Sequence, residues 1–259
     1  LHFAPRGDGA ALVVLLTPGP FNETYFEHTL LSRYLGFPLV EGGDLTVRNG
    51  RVWLKTIGGL RRVHAILRRQ DDSYCDPLEL RSDSALGVAG LTECARNGTV
   101  LIANSLGSGI LESGALLGFL PRLSERLLGE ELKLPSIATW WCGEPAALED
   151  AIEKMDHLVF KPVDRSHNLD IVFGNDLDEE SLQDFRSTLQ ARPERYIAQE
   201  LVHVSQAPVL SRGAEVGLEP RCVGLRVFAV ATPGGYMVMP GGLTRVASSA
   251  KIGRASCRE

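Results

Sequence analysis

Lys161 stands where a run of apolar residues, Leu158, Val159 and Phe160, gives way to Pro162. A short continuous apolar run reads as a buried strand, and a proline, which has no amide to donate, ends its ladder. A lysine at such a mouth can lay its stem along the core and turn its ammonium into a cleft. There it could neutralise a phosphate, an attraction of about 4 kcal/mol at contact distance and an effective dielectric near 20. Two further groups suit a nucleotide guest. "YIAQE" closes a predicted strand with Gln199 and Glu200, whose main chain could read an adenine edge, and Arg226, set between Leu225 and Val227, could clamp a phosphate or acyl phosphate with its planar fork. Each has a plainer reading. A strand lysine is commonly a solvated edge residue, and an arginine in an alternating strand commonly faces water.

A second group precedes these in the chain. Arg69, Asp71 and Asp76 of "RRQDDSYCDP" fall just past a predicted strand, where an open α/β sheet has its ligand crevice. They either position a substrate or phosphate, or form a solvated, charge-paired loop. Glu27 and His28 lie on the first predicted helix, where His28 is either a proton carrier or a hydrogen-bonded structural histidine. The five cysteines, Cys75, Cys94, Cys142, Cys222 and Cys257, show no C-x-x-C spacing, which suits reduced thiols better than zinc or disulfides.

The elements that must hold these residues follow from pattern. "ALVVLLTPGPFNETYFEHTLLSRYLGFPLVEGGDL" alternates strand, Gly/Pro loop, helix and strand, with Asn22 as N-cap and Gly36 as stop. Asn49-Gly50 between two alternating runs predicts a hairpin. "VHAILRR" and "TVLIANSLGSG" add strands, making the first half an open α/β sheet that ends near Pro135. Beyond it the spacing predicts a helix in "EPAALEDAIEKM", the Lys161 strand, "LDIVFG", a helix in "DEESLQDFRSTLQ", then "RYIAQELV" and a pair of strands joined by Pro233-Gly234-Gly235. This second half reads as α+β with antiparallel pairing.

Composition narrows the class. A net charge of −5 and a pI near 5.8 argue against non-specific nucleic-acid binding, which needs a cationic face. No apolar stretch approaches the roughly twenty residues that span a bilayer, and no leader pattern opens the chain, so the expected location is the cytoplasm. The chain opens on Leu1, and "KIGRASCRE", residues 251–259, reads as a non-native tail translated from a sequencing adapter. Both ends are accordingly read as cut.

In order along the chain, "TPGPFNETYFEH", "LVEGGDL", "RRQDDSYCDPLELRSDS", "LPSIATWWCG", "LVFKP", "YIAQE" and "VMPGGLTRVA" make the sequence resemble the circularly permuted ATP-grasp proteins, type 2, the branch associated with alpha-E domains. The resemblance implies a Rossmann-like pre-ATP-grasp domain over residues 1–135 and an incomplete ATP-grasp domain over 136–250. It implies ATP and Mg²⁺ as cofactors and an ATP-dependent carboxylate–amine ligase that works through an acyl phosphate. By motif, Lys161 matches the phosphate lysine, Gln199 and Glu200 the adenine hinge, and Arg226 the phosphate or acyl-phosphate clamp. Gly241, Gly242 and Arg245 match the signature at the active-site wall. Two features depart from the pattern. The loop after Lys161, "VDRSHNLDIVFG", has no glycine before Gly174, leaving Arg165, Ser166 and His167 as donors, and a second lysine expected in "GILESGALLG" is absent. The metal-holding segment of relatives would follow "PGGLTRVA", so the fragment itself is expected not to turn over. The alternative is a catalytically degenerate nucleotide-binding or scaffold module that partners an alpha-E or transglutaminase-like protein.

Overall fold

The structure is a computed structural model, and it describes residues 10–164, 169–202, 204–210 and 217–247. Arg165, Ser166 and His167, and the tail 251–259, lie outside the described residues. The chain divides into two compact units between Leu116 and Leu117, so Pro135 lies inside the second.

The first unit contains β1 (Val13–Leu16), α1 (Tyr25–Leu35), β2 (Leu39–Val40), β3 (Leu45–Arg48), β4 (Arg51–Thr56), β5 (Gly59–Arg62), β6 (Ala65–Arg68), α2 (Leu91–Arg96) and β7 (Leu101–Ala103). Four of these strands make a parallel sheet in the order β2-β1-β6-β7, as βαβ connections require. Its strands are almost entirely apolar because the sheet is buried. Val14, Leu16, Val40, Ile66 and Ile102 pack into one core with Val52 and Leu54 of β4. The β3–β4 hairpin turns at Asn49 and Gly50, with φ of 50° and 66°. Two successive left-handed residues are what a two-residue turn needs to match strand twist, which is why Asn-Gly announces it. Asn22 differs from its expected role. The helix begins after Thr24, and Asn22 Oδ1 instead accepts from the Thr24 amide at 3.0 Å and hydroxyl at 2.6 Å, closing a turn one step earlier.

The second unit contains most of α3 (Leu116–Leu128), then β8 (Thr139–Trp141), α4 (Pro145–Glu153), β9 (Leu158–Pro162), β10 (Val172–Phe173), α5 (Glu179–Ala191), β11 (Tyr196–Glu200), β12 (Gln206–Leu210), β13 (Leu218–Thr232) and β14 (Gly235–Val246). One antiparallel sheet runs β10-β9-β11-β8. The side chains of Leu158, Phe160, Tyr196 and Ala198 cluster with Ala151 of α4 and Leu189 of α5. Phe185 of α5 stacks edge-on against Phe160 at 5.0 Å and Tyr196 at 5.7 Å, a geometry in which ring edges meet ring faces favourably. Asp178 starts α5 by accepting from the Ser181 amide at 2.9 Å, and Pro145 occupies the first turn of α4, where no donor is lost. A second antiparallel sheet runs β12-β13-β14.

Candidate functional site

Side chains alternate along a strand, so the face of the β9–β11 sheet opposite Phe160 and Ala198 carries Val159, Lys161, Ile197, Gln199 and Thr139. The register places Lys161 opposite Ile197, and Gln199 opposite Val159 on one side and Thr139 on the other. Gln199, Ile197, Val159 and Thr139 are all buried, whereas Lys161 is partly exposed. Lys161 Nζ donates to Gln199 Oε1 at 2.7 Å, Gln199 Nε2 donates to Thr139 Oγ1 at 2.9 Å, and Thr139 Oγ1 donates to the Ile137 carbonyl at 2.9 Å. The chain of donors has one possible direction. An ammonium can only donate, so the glutamine must present its oxygen to Lys161 and its amide to Thr139. The lysine is thereby aimed by a buried neutral relay and keeps donors to offer a guest. Gly118 lets α3 reach this relay, since a Cβ there would lie 2.7 Å from the Thr139 carbonyl oxygen.

Gln199 and Glu200 take different roles from those expected. β11 lies between β9 and β8, which puts the Gln199 main chain inside the ladder, and the Glu200 amide donates to the Ala138 carbonyl at 3.0 Å. Gln199 joins the site through its side chain. Glu200 points to the other face of the sheet, with Leu158 and Trp140, and lines a cavity of about 480 Å³ there.

The hairpin β13–β14 carries the remaining arginines. Arg226 pairs with Leu243 and Gly224 with Arg245, so both guanidinium groups leave the same face of that ribbon as diagonal neighbours. Arg226 is exposed and Arg245 partly buried. Lys161 and these arginines therefore stand on separate sheets. Gly241 and Gly242 have structural duties. The register jumps between Val227 and Ala229, where Met239, Pro240 and Gly241 bulge opposite Phe228. Gly241 has φ of 129°, a conformation that side chains resist, and a Cβ on Gly242 would sit 2.6 Å from the Arg226 carbonyl oxygen.

In the first unit, Arg69 follows β6 at the carboxyl end of the sheet, and its amide donates to the Leu16 carbonyl at 2.9 Å. The chain leaves β1 toward β2 on one side and leaves β6 toward β7 on the other, and the carboxyl ends of β1 and β6, where these connections diverge, form the usual ligand crevice of an open parallel sheet. Arg69 is exposed there. Asp71 is exposed and precedes a turn. Asp76 is buried and already committed, accepting from the amides of Leu78 at 2.9 Å, Thr92 at 2.9 Å and Gly90 at 3.2 Å. Burial works against its charge, but these amides outweigh it and hold the carboxyl below its ordinary range. It organises the start of α2 instead of facing a guest. His28 is likewise structural. Thr24 gives its hydroxyl proton to Asn22, so His28 Nε2 donates to Thr24 Oγ1 at 3.0 Å, and Nδ1 accepts from Thr17 Oγ1 at 2.9 Å. Burial first, then the charge of Arg69, lowers the His28 pKa and keeps the ring neutral, against a smaller opposing effect of Glu27. Burial pushes the thiols of Cys75 and Cys142 up to about 11, which leaves them protonated and inert.

A profile of the circularly permuted ATP-grasp type 2 proteins matches residues 1–247. The chain belongs to this family. Among curated relatives, it is 43% identical over 232 residues to the uncharacterized protein Rv2567 of Mycobacterium tuberculosis, covering 90% of this chain and 26% of that protein. It is 36% identical over 247 residues to the uncharacterized protein sll0335 of Synechocystis, covering 95% of this chain and 51% of that one. The chain thus spans about a quarter to a half of the length of these relatives. Among solved structures, the ATP-grasp ligase PsnB in complex with a minimal precursor gives a TM-score of 0.48 at 14% identity, over 92% of this chain and 76% of that one. A RimK-domain ATP-grasp protein of Sphaerobacter thermophilus gives 0.45 at 15% identity, over 90% of each. Family membership rests on the sequence match alone.

Three residues of these sites escaped the sequence reading. Thr139, the end of the Lys161 relay, sits in "IATWW", where nothing but inward alternation marks it. Arg68 braces the crevice by donating to the carbonyls of Gln70 at 2.6 Å and Asn104 at 3.2 Å. Asp72, between the two aspartates singled out, accepts from the amides of Gly107 at 3.2 Å and Gly109 at 3.0 Å. No helix among the described residues is long and apolar enough to cross a membrane.

Proposed function

We propose that this chain supplies the nucleotide-binding part of an ATP-dependent ligase that joins a carboxylate to an amine through an acyl phosphate. The observation that carries the reading is the Lys161–Gln199–Thr139 relay, a cation aimed from a buried sheet face in a protein of the ATP-grasp family. Lys161 would bind an ATP phosphate, and Gln199 would keep its ammonium from folding back to solvent. Leu201 and Val202, the first residues past β11, are the main-chain candidates for the adenine edge, because the Glu200 amide is engaged. Arg226 and Arg245 would face the transferred phosphoryl group or the acyl phosphate, whose charge planar guanidinium groups match. Arg69 would hold a substrate anion at the crevice of the first unit, with Asp71 beside it.

Bound magnesium would supply charge neutralisation of the phosphates. Among the described residues no group of three His, Cys, Asp or Glu side chains could hold a metal ion, so no step is assigned to one. The same reading puts the protein in the cytoplasm, where ATP is available.

One observation favours a second reading. The stretch from Val163 to Phe173 contains no glycine, and backbone amides approach phosphate closely only where side chains are absent. On that reading the chain binds nucleotide without hydrolysis and serves as a scaffold for an alpha-E or transglutaminase-like partner. The deciding experiment supplies the complete natural protein with Mg-ATP, mixed amino acids and polyamines, and follows phosphate release. Substrate-dependent release that disappears in Lys161→Met supports the ligase. Nucleotide binding with no release under any substrate supports the scaffold, and no nucleotide binding at all refutes both.

A further inference from the structure

On the helix-covered side of the β9–β11 sheet lies the cavity of about 480 Å³ that Glu200 lines. Leu158 and Glu200 pair across β9 and β11, while Lys161 pairs with Ile197 one face over, so this cavity opens away from the phosphate lysine. Its volume is in the range of small-molecule sites. Its walls mix aromatic, apolar and polar side chains. Trp140, 39% exposed, offers an indole, Leu158 and Leu201 add apolar side chains, and Asp156, Glu200 and Asn175 add oxygen acceptors. Trp140 pairs with Ala198, two residues before Glu200, which sets the indole and the carboxylate diagonally on one face.

Two basic residues, Lys154 and His157, also line the cavity. Lys154 Nζ reaches Asp150 at 3.7 Å, and His157 Nε2 lies 3.5 Å from Asp156. The wall itself is built to close tolerance. The turn Gly174–Asp176 packs on the turn Met155–His157, and a Cβ on Gly174 would clash with the carbonyl group of Met155. An indole ring, two carboxylates and two leucines in one lining are together complementary to a cation on a short hydrocarbon.

We propose that this cavity binds a small alkylammonium compound, with its charge between Trp140, Glu200 and Asp156 and its hydrocarbon on Leu158 and Leu201. The inference uses the cavity alone and is independent of the nucleotide reading. It is tested on the 259-residue chain by titrating n-butylammonium chloride against the indole N–H signal of Trp140, identified by its loss in Trp140→Phe. The expected result is a saturable shift. Glu200→Gln and Asp156→Asn should each weaken binding about tenfold, the usual cost of replacing a charged acceptor, and 1-butanol should bind at least about tenfold more weakly for lack of the charge. Asp156 is exposed, so its variant keeps the comparison available should Glu200→Gln fail to fold. Equal titration by 1-butanol, a shift that matches sodium chloride and never saturates, or unchanged affinity in both carboxylate variants would overturn the proposal.

Discussion

Replacing Lys161 and Gln199, singly and together, tests whether the relay serves a nucleotide. Lys161→Met removes a charge that would attract phosphate by about 4 kcal/mol at 4 Å and an effective dielectric near 20. Lys161 is partly exposed, and solvent screening roughly halves that figure to about 2 kcal/mol, or about thirtyfold in ATP affinity. Gln199→Met keeps the charge but removes the 2.7 Å contact that aims it. Ordering a free lysine costs up to about 2 kcal/mol of rotamer entropy, and if Gln199 offsets about half, its loss weakens ATP by about 1 kcal/mol, or about fivefold. The double variant should bind no more weakly than Lys161→Met alone, a coupling of about 1 kcal/mol. Titration calorimetry with Mg-ATP on the four proteins reads this directly, with thermal unfolding to confirm that each is folded. ATP affinity unchanged in Lys161→Met would refute the phosphate role, and a Gln199 effect of equal size with and without Lys161 would refute the aiming role.

Asp76→Ala should destabilise the first unit by about 3 kcal/mol, since it strands three buried amides, and denaturant unfolding should show it while ATP affinity of the protein stays unchanged. The folded-state pKa of Asp76 lies below its ordinary 3.8, so its contribution is present above that value and is lost as pH falls through the lower folded value. His28 and His64 also have lowered values, both chiefly from burial, and the Leu12 amide donates to His64 Nδ1 at 3.1 Å. The unfolded chain therefore takes up more protons below 6.5, and the melting temperature should fall as pH drops from 6.5 toward 5, less steeply in His28→Asn; a flat profile would contradict neutral rings. Gly242→Ala should loosen the β13–β14 pairing by about 1–3 kcal/mol through overpacking against Arg226, read as faster amide exchange around the bulge.

Local chemistry was legible in the sequence wherever it acts within a few residues. Asn49-Gly50 announced a hairpin because only residues tolerant of positive φ make that turn, Gly36 closed α1 in the left-handed conformation, and Leu158–Pro162 announced a strand because apolar runs must be buried. Asn22 was missed by two residues because its side chain can serve a turn as readily as a cap.

Periodicity and backbone restriction thus set the order of elements, the alternation of their faces and the lysine at the strand mouth, and these could be read from the residues. The partner of that lysine was decided only in three dimensions. Gln199 lies 38 residues away and Thr139 a further 60 back along the chain, and antiparallel register alone makes them neighbours. The same register turned Glu200 to the opposite face and closed its amide to a guest, and burial turned Asp76 and His28 from candidate reagents into struts. Hydrogen-bond satisfaction in a buried site depends on which groups meet, and that is a property of the fold.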